Sequence, residues 1–163
     1  MINEILGKLK PEKVVFVLSI DQNNKPSGMV AGWQTRCSAN PPLFAVSLSK
    51  RGHTHQLIRQ SKEFVLAFPN QEIEKEMLVF GTTHGNQVDK FMETGLETIS
   101  AQKIRTPLIK KATFNFECQL TKEVDAGDHL IFIGEVVAAH QNPGKKLLFN
   151  LGTFEGKRKF GEL

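Results

Sequence analysis

Thr113-Phe114-Asn115-Phe116-Glu117-Cys118-Gln119-Leu120-Thr121 alternates polar and apolar residues without a break, the strongest period-two signal in the chain. Successive side chains of a strand point to opposite faces. Phe114, Phe116, Cys118 and Leu120 are therefore expected on a core face, and Thr113, Asn115, Glu117, Gln119 and Thr121 on a face that is wet or lines a site. Downstream, Leu130 to Ala139 is apolar on both faces apart from Glu135 and predicts a central strand, entered through a turn at Ala126-Gly127-Asp128. Upstream, Lys13 to Ile20 is also apolar on both faces, and the polar cluster from Asp21 to Pro26 breaks it. Gly28 to Arg36 then reads as a second strand. Asn40-Pro41-Pro42 makes a stiff corner before a third, Leu43 to Leu48, and Glu63 to Phe68 predicts a fourth.

Helical patterns are few and short. One starts near Thr54 as its cap, carries Leu57 and Ile58 inward and ends around Ser61. A second, Glu72 to Phe80, has Ile73, Met77, Leu78 and Phe80 as candidate buried positions. After the polar loop Gly81 to Gly85, Asn86 caps a third in which Val88, Phe91 and Met92 share a face. Residues 95 to 112 show no clear period, with Thr106-Pro107-Leu108 turn-like. Strands outnumber helices and sequence neighbours look hairpin-connected. The expected fold class is mainly β, a mostly antiparallel sheet closing into a small barrel with helices inserted after the third and fourth strands.

The chain has 163 residues, a net charge of +4 (21 Lys and Arg against 17 Asp and Glu), 40% hydrophobic and 23% charged residues. That is one globular domain spanning 1–163, and it excludes disordered, collagen-like and coiled-coil classes. The run Val14 to Leu18 is far shorter than the roughly 20 residues of a membrane span. The amino terminus lacks a long apolar stretch after a basic start, so no membrane and a cytoplasmic address are expected. Two cysteines, Cys37 and Cys118, are expected to be reduced. The basic balance suits an acidic partner, nucleic acid or a phosphorylated small molecule, and charge alone does not choose. Aromatic residues at 8%, no tyrosine and no aromatic-interleaved cationic stripe argue against nucleic acid.

Ser49-Lys50-Arg51-Gly52-His53-Thr54 lies where a strand gives way to a helix. Hydroxyls, two cations and free amides there make either an anion site or a solvated basic turn before a capped helix. Trp33, the single tryptophan, stands between Gly32 and Gln34, where its ring either walls a planar ligand or packs in a core or interface. His129 follows Gly127-Asp128 at the entry to a central strand, projecting into a cavity mouth or serving structure. His53-x-His55 has no carboxylate or cysteine at ligand spacing, so no metal site is expected. Neither cysteine has an adjacent base, no Gly-x-Ser-x-Gly elbow exists, and no Gly-x-Gly-x-x-Gly opens a helix.

Ala31-Gly32-Trp33-Gln34-Thr35-Arg36-Cys37-Ser38-Ala39-Asn40-Pro41-Pro42, Val46-Ser47-Leu48, Thr54-His55-Gln56-Leu57-Ile58, Val88-Asp89-Lys90-Phe91 and Gly127-Asp128-His129 follow one another in this order. Together they resemble the flavin reductase-like FMN-binding split-barrel family, over roughly residues 10 to 155. The resemblance implies a six-stranded Greek-key split barrel, a homodimer, and FMN near the subunit interface. It implies that Trp33, Gln34, Thr35 and Ser38 contact the isoalloxazine and ribityl chain, and that Ser47, Ser49, Lys50, Arg51 and Thr54 surround the phosphate. His129 matches a histidine near the nicotinamide or flavin edge, the catalytic position. Lys90 matches either a cofactor contact or a structural ion-pair partner. The implied activity is a flavin reductase using NADH or NADPH as transient co-substrate and passing hydride or electrons through FMN to an acceptor, such as a monooxygenase or another redox protein. The Gly-Trp-x-Thr setting of Trp33 is similar to flavoredoxins, which gives the alternative: an electron-transfer flavoprotein reduced by a protein partner.

Overall fold

A computed structural model describes residues 1–83 and 85–163; His84, inside the expected loop Gly81 to Gly85, lies outside the described residues. The strands are β1 Glu12–Lys13, β2 Val15–Ile20, β3 Pro26–Ala31, β4 Gln34–Ala39, β5 Pro42–Ser49, β6 Glu63–Phe68, β7 Thr98–Ile99, β8 Leu108–Ile109, β9 Phe114–Ala126, β10 His129–Gln141, β11 Leu148–Phe154 and β12 Lys157–Glu162. The helices are α1 Ile2–Leu6, α2 Thr54–Ser61, α3 Glu74–Thr82 and α4 Lys90–Thr94. Seven strands form one antiparallel sheet in the order β3-β2-β6-β9-β10-β5-β4, flanked by a three-stranded sheet β1-β11-β12 and the pair β7-β8. The mainly β, antiparallel architecture expected from the pattern is the observed one. The main sheet has seven strands where six were expected, and the pairings leave β3 and β4 as its two edges.

The extra strand comes from the second predicted run. Gly28 to Arg36 is two strands rather than one, because the chain leaves the sheet at Gly32-Trp33 and re-enters it on the opposite edge. β2 pairs with β3 and β6, and its residues are buried on both faces. Phe16 and Leu18 join a core with Val65, Ala67, Ile73, Met77 and Phe80. Val15 and Val17 face a second core with Val46, Leu48, Ile58, Phe64 and Phe132. The absence of alternation in Lys13 to Ile20 reflects these two cores lying on either side of one strand.

α2 spans the predicted Thr54 to Ser61, but His53 occupies its cap position and Thr54 lies buried in the first turn. Arg59 Nε donates to both oxygens of Glu123, at 2.9 and 3.0 Å, and fastens α2 to β9. The second helix is shifted, running as a 3₁₀ turn Gln71–Ile73 and then α3, with Ile73, Met77 and Phe80 buried and Leu78 42% exposed. Asp89, rather than Asn86, caps the third by accepting from the Met92 amide at 3.1 Å. Met92 is 82% exposed because the helix begins three residues later than expected and presents a different face.

The opening strand also carries a correction. Thr113, just before β9, and Asn115 and Glu117 on it are buried, neither wet nor lining an open site. The segment 95–112 bonds to Asn115 and Glu117, and Thr113 donates to the Lys146 carbonyl at 3.0 Å. Asn115 accepts from the Ile109 amide at 2.9 Å and donates to the Ile109 carbonyl at 3.0 Å. Glu117 accepts from the Gln102, Lys103 and Ile104 amides at 2.8, 2.7 and 3.2 Å. Glu63 accepts from the Arg105 and Thr106 amides at 2.9 and 2.8 Å. An aperiodic segment lacks strand or helix partners for its amides, and three polar side chains of the sheet supply them.

Candidate functional site

Three strand ends and a helix start meet at one corner of the main sheet. In the β10–β5 ladder His129 faces Ser49 and Ile131 faces Ser47; in the β4–β5 ladder Gln34 faces Val46 and Thr35 faces Ala45. The Ser47 amide donates to the Trp33 carbonyl at 2.9 Å, which extends that ladder by one residue past β4. This brings the Trp33 and His129 rings together, with centroids 4.8 Å apart and planes at 39°. Trp33 is 61% exposed, so it is not a core residue.

Gly127, at φ +67°, turns β9 into β10, a backbone region that glycine enters without strain. The turn sets Asp128 beside His129, with Oδ1 2.6 Å from Nδ1. The His129 bond and charge hold the Asp128 carboxyl below its ordinary range. An ionised carboxylate can only accept, so Nδ1 carries a proton, and in the uncharged form of the ring that leaves Nε2 as the acceptor.

The Ser49–Thr54 turn is built from its own backbone. The Arg51 amide donates to Ser49 Oγ at 3.2 Å, the Gly52 amide to the Ser49 carbonyl at 3.1 Å, and the Lys50 amide to the Asp128 carbonyl at 3.0 Å. The two cations part company here. Lys50 Nζ donates to Asp125 Oδ2 at 2.7 Å, whereas the exposed Arg51 makes no side-chain hydrogen bond among the described residues. His55, next in α2, is buried with Nδ1 unpartnered; burial and then Arg59 push its pKa down, so it is neutral. Beyond the turn lie two polar clefts that share His53. The outer, of about 300 Å³, is lined by Arg51, Gln56, Asn86 and Gln87, and the inner, of about 140 Å³, by Asp21, Ser27, Asp89 and Lys90.

The corner therefore gathers Trp33, Gln34, Thr35, Ser47, Ser49, Lys50, Arg51, Thr54 and His129 from the residues expected at a site. Ser38 is not among them. It faces Leu43 at the other end of the β4–β5 ladder, roughly 13 Å along the strand from Gln34 at ~3.3 Å per residue. Lys90 stands apart as well, 3% exposed in the wall of the inner cleft. Its Nζ donates to the Gly28 and Phe80 carbonyls at 2.8 and 2.9 Å and lies 5.6 Å from the Phe80 ring centroid. Burial pushes its pKa down to about 8, and its bonded partners are carbonyls rather than a carboxylate. Asp125 belongs to this neighbourhood without having been named, and Asp128, His53 and Gln56 belong to it although the motifs that contain them gave them no binding role. Asp125 carried no local signal, whereas Asp128 stood in Gly-Asp-His and His53 and Gln56 in the segment from Ser49 to Ile58. Cys118 is buried, which pushes its thiol pKa far up, and Cys37 is exposed. No helix is long and apolar enough to cross a membrane among the described residues.

Comparison with known proteins places the chain in a family. The model of the flavin reductase like domain matches residues 8–157. An uncharacterized protein of Archaeoglobus fulgidus is 36% identical over 113 residues, covering 69% of this chain and 64% of its own length. The solved structure of the Streptomyces globisporus C-1027 NADH:FAD oxidoreductase superposes with a TM-score of 0.85 at 26% identity, covering 99% of this chain and 91% of that one. The flavoredoxin of Methanosarcina acetivorans superposes at 0.82 with 24% identity over 95% of this chain and 86% of its own, which speaks for the fold alone. With nearly its whole length matched by the family model, the chain belongs to the flavin reductase-like family of oxidoreductases.

Proposed function

We propose that the chain binds FMN at the Trp33–Ser49 corner and acts as an NAD(P)H-dependent flavin reductase. The observation that carries this reading is the pairing of a largely exposed indole with an unpaired cation and hydroxyls one strand away. A flat apolar face that large gains by being covered, and a planar ring system edged with polar atoms suits it. The donor set fits the group: Ser47 and Ser49 hydroxyls and the Arg51 guanidinium lie where a phosphate would end. Bound FMN supplies the redox chemistry, taking hydride or electrons from NADH or NADPH and delivering them to an acceptor. The side chains bind and orient. Trp33 walls the ring, Gln34 and Thr35 border it, and His129 Nε2, its proton held on Nδ1 by Asp128, accepts a hydrogen bond from an amide N–H of the incoming ligand. Turning reactive groups into fixed neighbours is what such positioning contributes.

The name of the Streptomyces structure supports a nicotinamide donor. A homodimer is part of the proposal: the apolar groove of about 460 Å³ lined by Leu43, Phe44, Phe116 and Val136 is where a second copy would pack. The second reading, electron transfer from a protein partner, is favoured by one observation: Trp33 and Asp128 both stand exposed at the rim, within reach of a docked protein. The deciding experiment reconstitutes the purified chain with FMN and follows the oxidised flavin band in stopped flow after mixing with NADH or NADPH. Bleaching with either supports the reductase. Bleaching only with a reduced ferredoxin supports the second reading, and no flavin uptake at all removes both.

A further inference from the structure

Gly32 and Trp33 carry the chain from one edge of the main sheet to the other and belong to neither β3 nor β4, yet the Trp33 ring is set against His129. The Ser47 amide tethers Trp33 from one side. On the other side the contact is Glu12, in β1: a Cβ at Gly32 would lie 2.8 Å from Glu12 Oε1 and 3.0 Å from its Cδ, inside van der Waals contact. We propose that Glu12 is a positioning residue for the flavin site, a carboxylate wedge that seats the Gly32-Trp33 crossover and so sets both the indole against His129 and the affinity for a ring laid on it. The inference rests on the flavin reading above.

The carboxylate of a flexible glutamate would ordinarily yield to a neighbour. This one is clamped. Lys10 Nζ lies 2.5 Å from Glu12 Oε1, and Asn150 Nδ2 donates to the same oxygen at 3.1 Å. Asn150 is the ladder partner of Glu12 across β1 and β11, is itself buried, and its Oδ1 accepts from the Gly152 amide at 3.0 Å. The Lys10 and Glu12 side chains are mostly shielded from solvent, and such a pair is screened less than an exposed one. The carboxylate is therefore held by the small sheet β1-β11-β12 rather than by the segment it presses on, and only a residue without a Cβ fits beneath it. A shift at Gly32 passes directly to Trp33, because the two residues share one planar peptide unit. Through this contact an amino-terminal segment and β11, both outside the run of motifs from Trp33 to His129, fix the wall of the site.

Trp33 is the only tryptophan and the chain has no tyrosine, so intrinsic emission reports this corner alone. A protonated imidazole quenches an indole it touches, so flavin-free wild type is expected to lose emission as pH falls through the histidine range. Glu12→Ala and, from the other side of the contact, Gly32→Ala should each at least halve that step in protein whose far-ultraviolet circular dichroism matches wild type. Glu12→Gln, which keeps the shape and the acceptor for Asn150, should restore most of it. In FMN titrations Glu12→Ala should weaken binding about fivefold in the wild-type background and less than about twofold in Trp33→Ala, because it acts through that ring. A full-sized step in either alanine variant, no step in wild type, no rescue by Glu12→Gln, or the same FMN loss in both backgrounds overturns the positioning role. Failure of wild type to bind FMN overturns the flavin reading instead, and the emission step still decides whether Glu12 holds Trp33.

Discussion

Replacing Glu117 by Gln tests how the segment 95–112 is held on the sheet. The Glu117 side chain is 0% exposed; Oε1 accepts from the Gln102 amide and lies 2.7 Å from His140 Nε2, and Oε2 accepts from the Lys103 and Ile104 amides. Glutamine keeps the shape and one acceptor oxygen but puts an NH₂ group where the other oxygen was. With the NH₂ turned toward the Lys103 and Ile104 amides two donors face a donor; turned the other way it faces the Gln102 amide, while His140 Nε2 can accept from it in the Nδ1–H tautomer. Hydrogen bonds to a charged acceptor are worth about 1.5–3 kcal/mol each, and a buried donor left unpaired carries its own desolvation cost, so the loss should be roughly 3–5 kcal/mol. That is a large share of the stability of a typical domain. Urea unfolding measures it, and hydrogen exchange at residues 102–104 should rise in step. Glu4→Gln, on an exposed helix, should stay within about 0.5 kcal/mol as the control. A Glu117→Gln loss below about 1 kcal/mol would refute the claim that this carboxylate anchors the segment. The pH dependence has a definite sign. Burial alone would raise the Glu117 pKa, but the Gln102 and Lys103 amides and His140 outweigh it and hold it below the ordinary value. Its stabilisation is therefore present at neutral pH and is lost as pH falls through the depressed folded value.

Other expectations follow from single contacts. Trp33→Ala should weaken flavin binding by an order of magnitude or more with little change in stability, since the ring is mostly exposed; unchanged flavin affinity and fluorescence would demote Trp33 to an ordinary surface residue. Because Lys50 is paired with Asp125 and Arg51 is not, Arg51→Ala should cost FMN about tenfold in affinity and Lys50→Ala less, with riboflavin insensitive to both; equal losses for FMN and riboflavin would refute a phosphate role. For Lys90, burial lowers the folded pKa to about 8 from 10.5. Between those values the unfolded chain binds more protons, so stability should rise with pH across that window, by roughly 3 kcal/mol at most. Denaturation of wild type and Lys90→Met at pH 7.5 and 10 checks this, and parallel pH slopes would contradict it.

Much of this was readable before any coordinates. β6 and α2 have the boundaries their patterns predict, and the doubly apolar run before Asp21 is the strand buried between two cores. The motif order from Trp33 to His129 announced the family that the matched model shows. The misreadings share a cause. Gly32-Trp33 divides one apparent strand between the two edges of the sheet, and no local period records which edge a strand joins. Thr113, Asn115 and Glu117 looked like a solvent face because they are polar, but the aperiodic segment just before them folds back over the sheet and takes Asn115 and Glu117 as hydrogen-bond partners, while Thr113 donates to the distant Lys146 carbonyl.

Local pattern by itself determined what each stretch is, because side-chain period and turn chemistry act over a few residues and leave their mark in the order of the letters. Which side chains share a corner was decided only by tertiary structure. Trp33 meets His129 across a β5 strand between them, Asp125 takes Lys50 while Arg51 makes no side-chain hydrogen bond among the described residues, and Ser38 is carried to the far end of the ladder. Those outcomes depend on strand order and register, which are settled by burial summed over the whole sheet and not by any one segment.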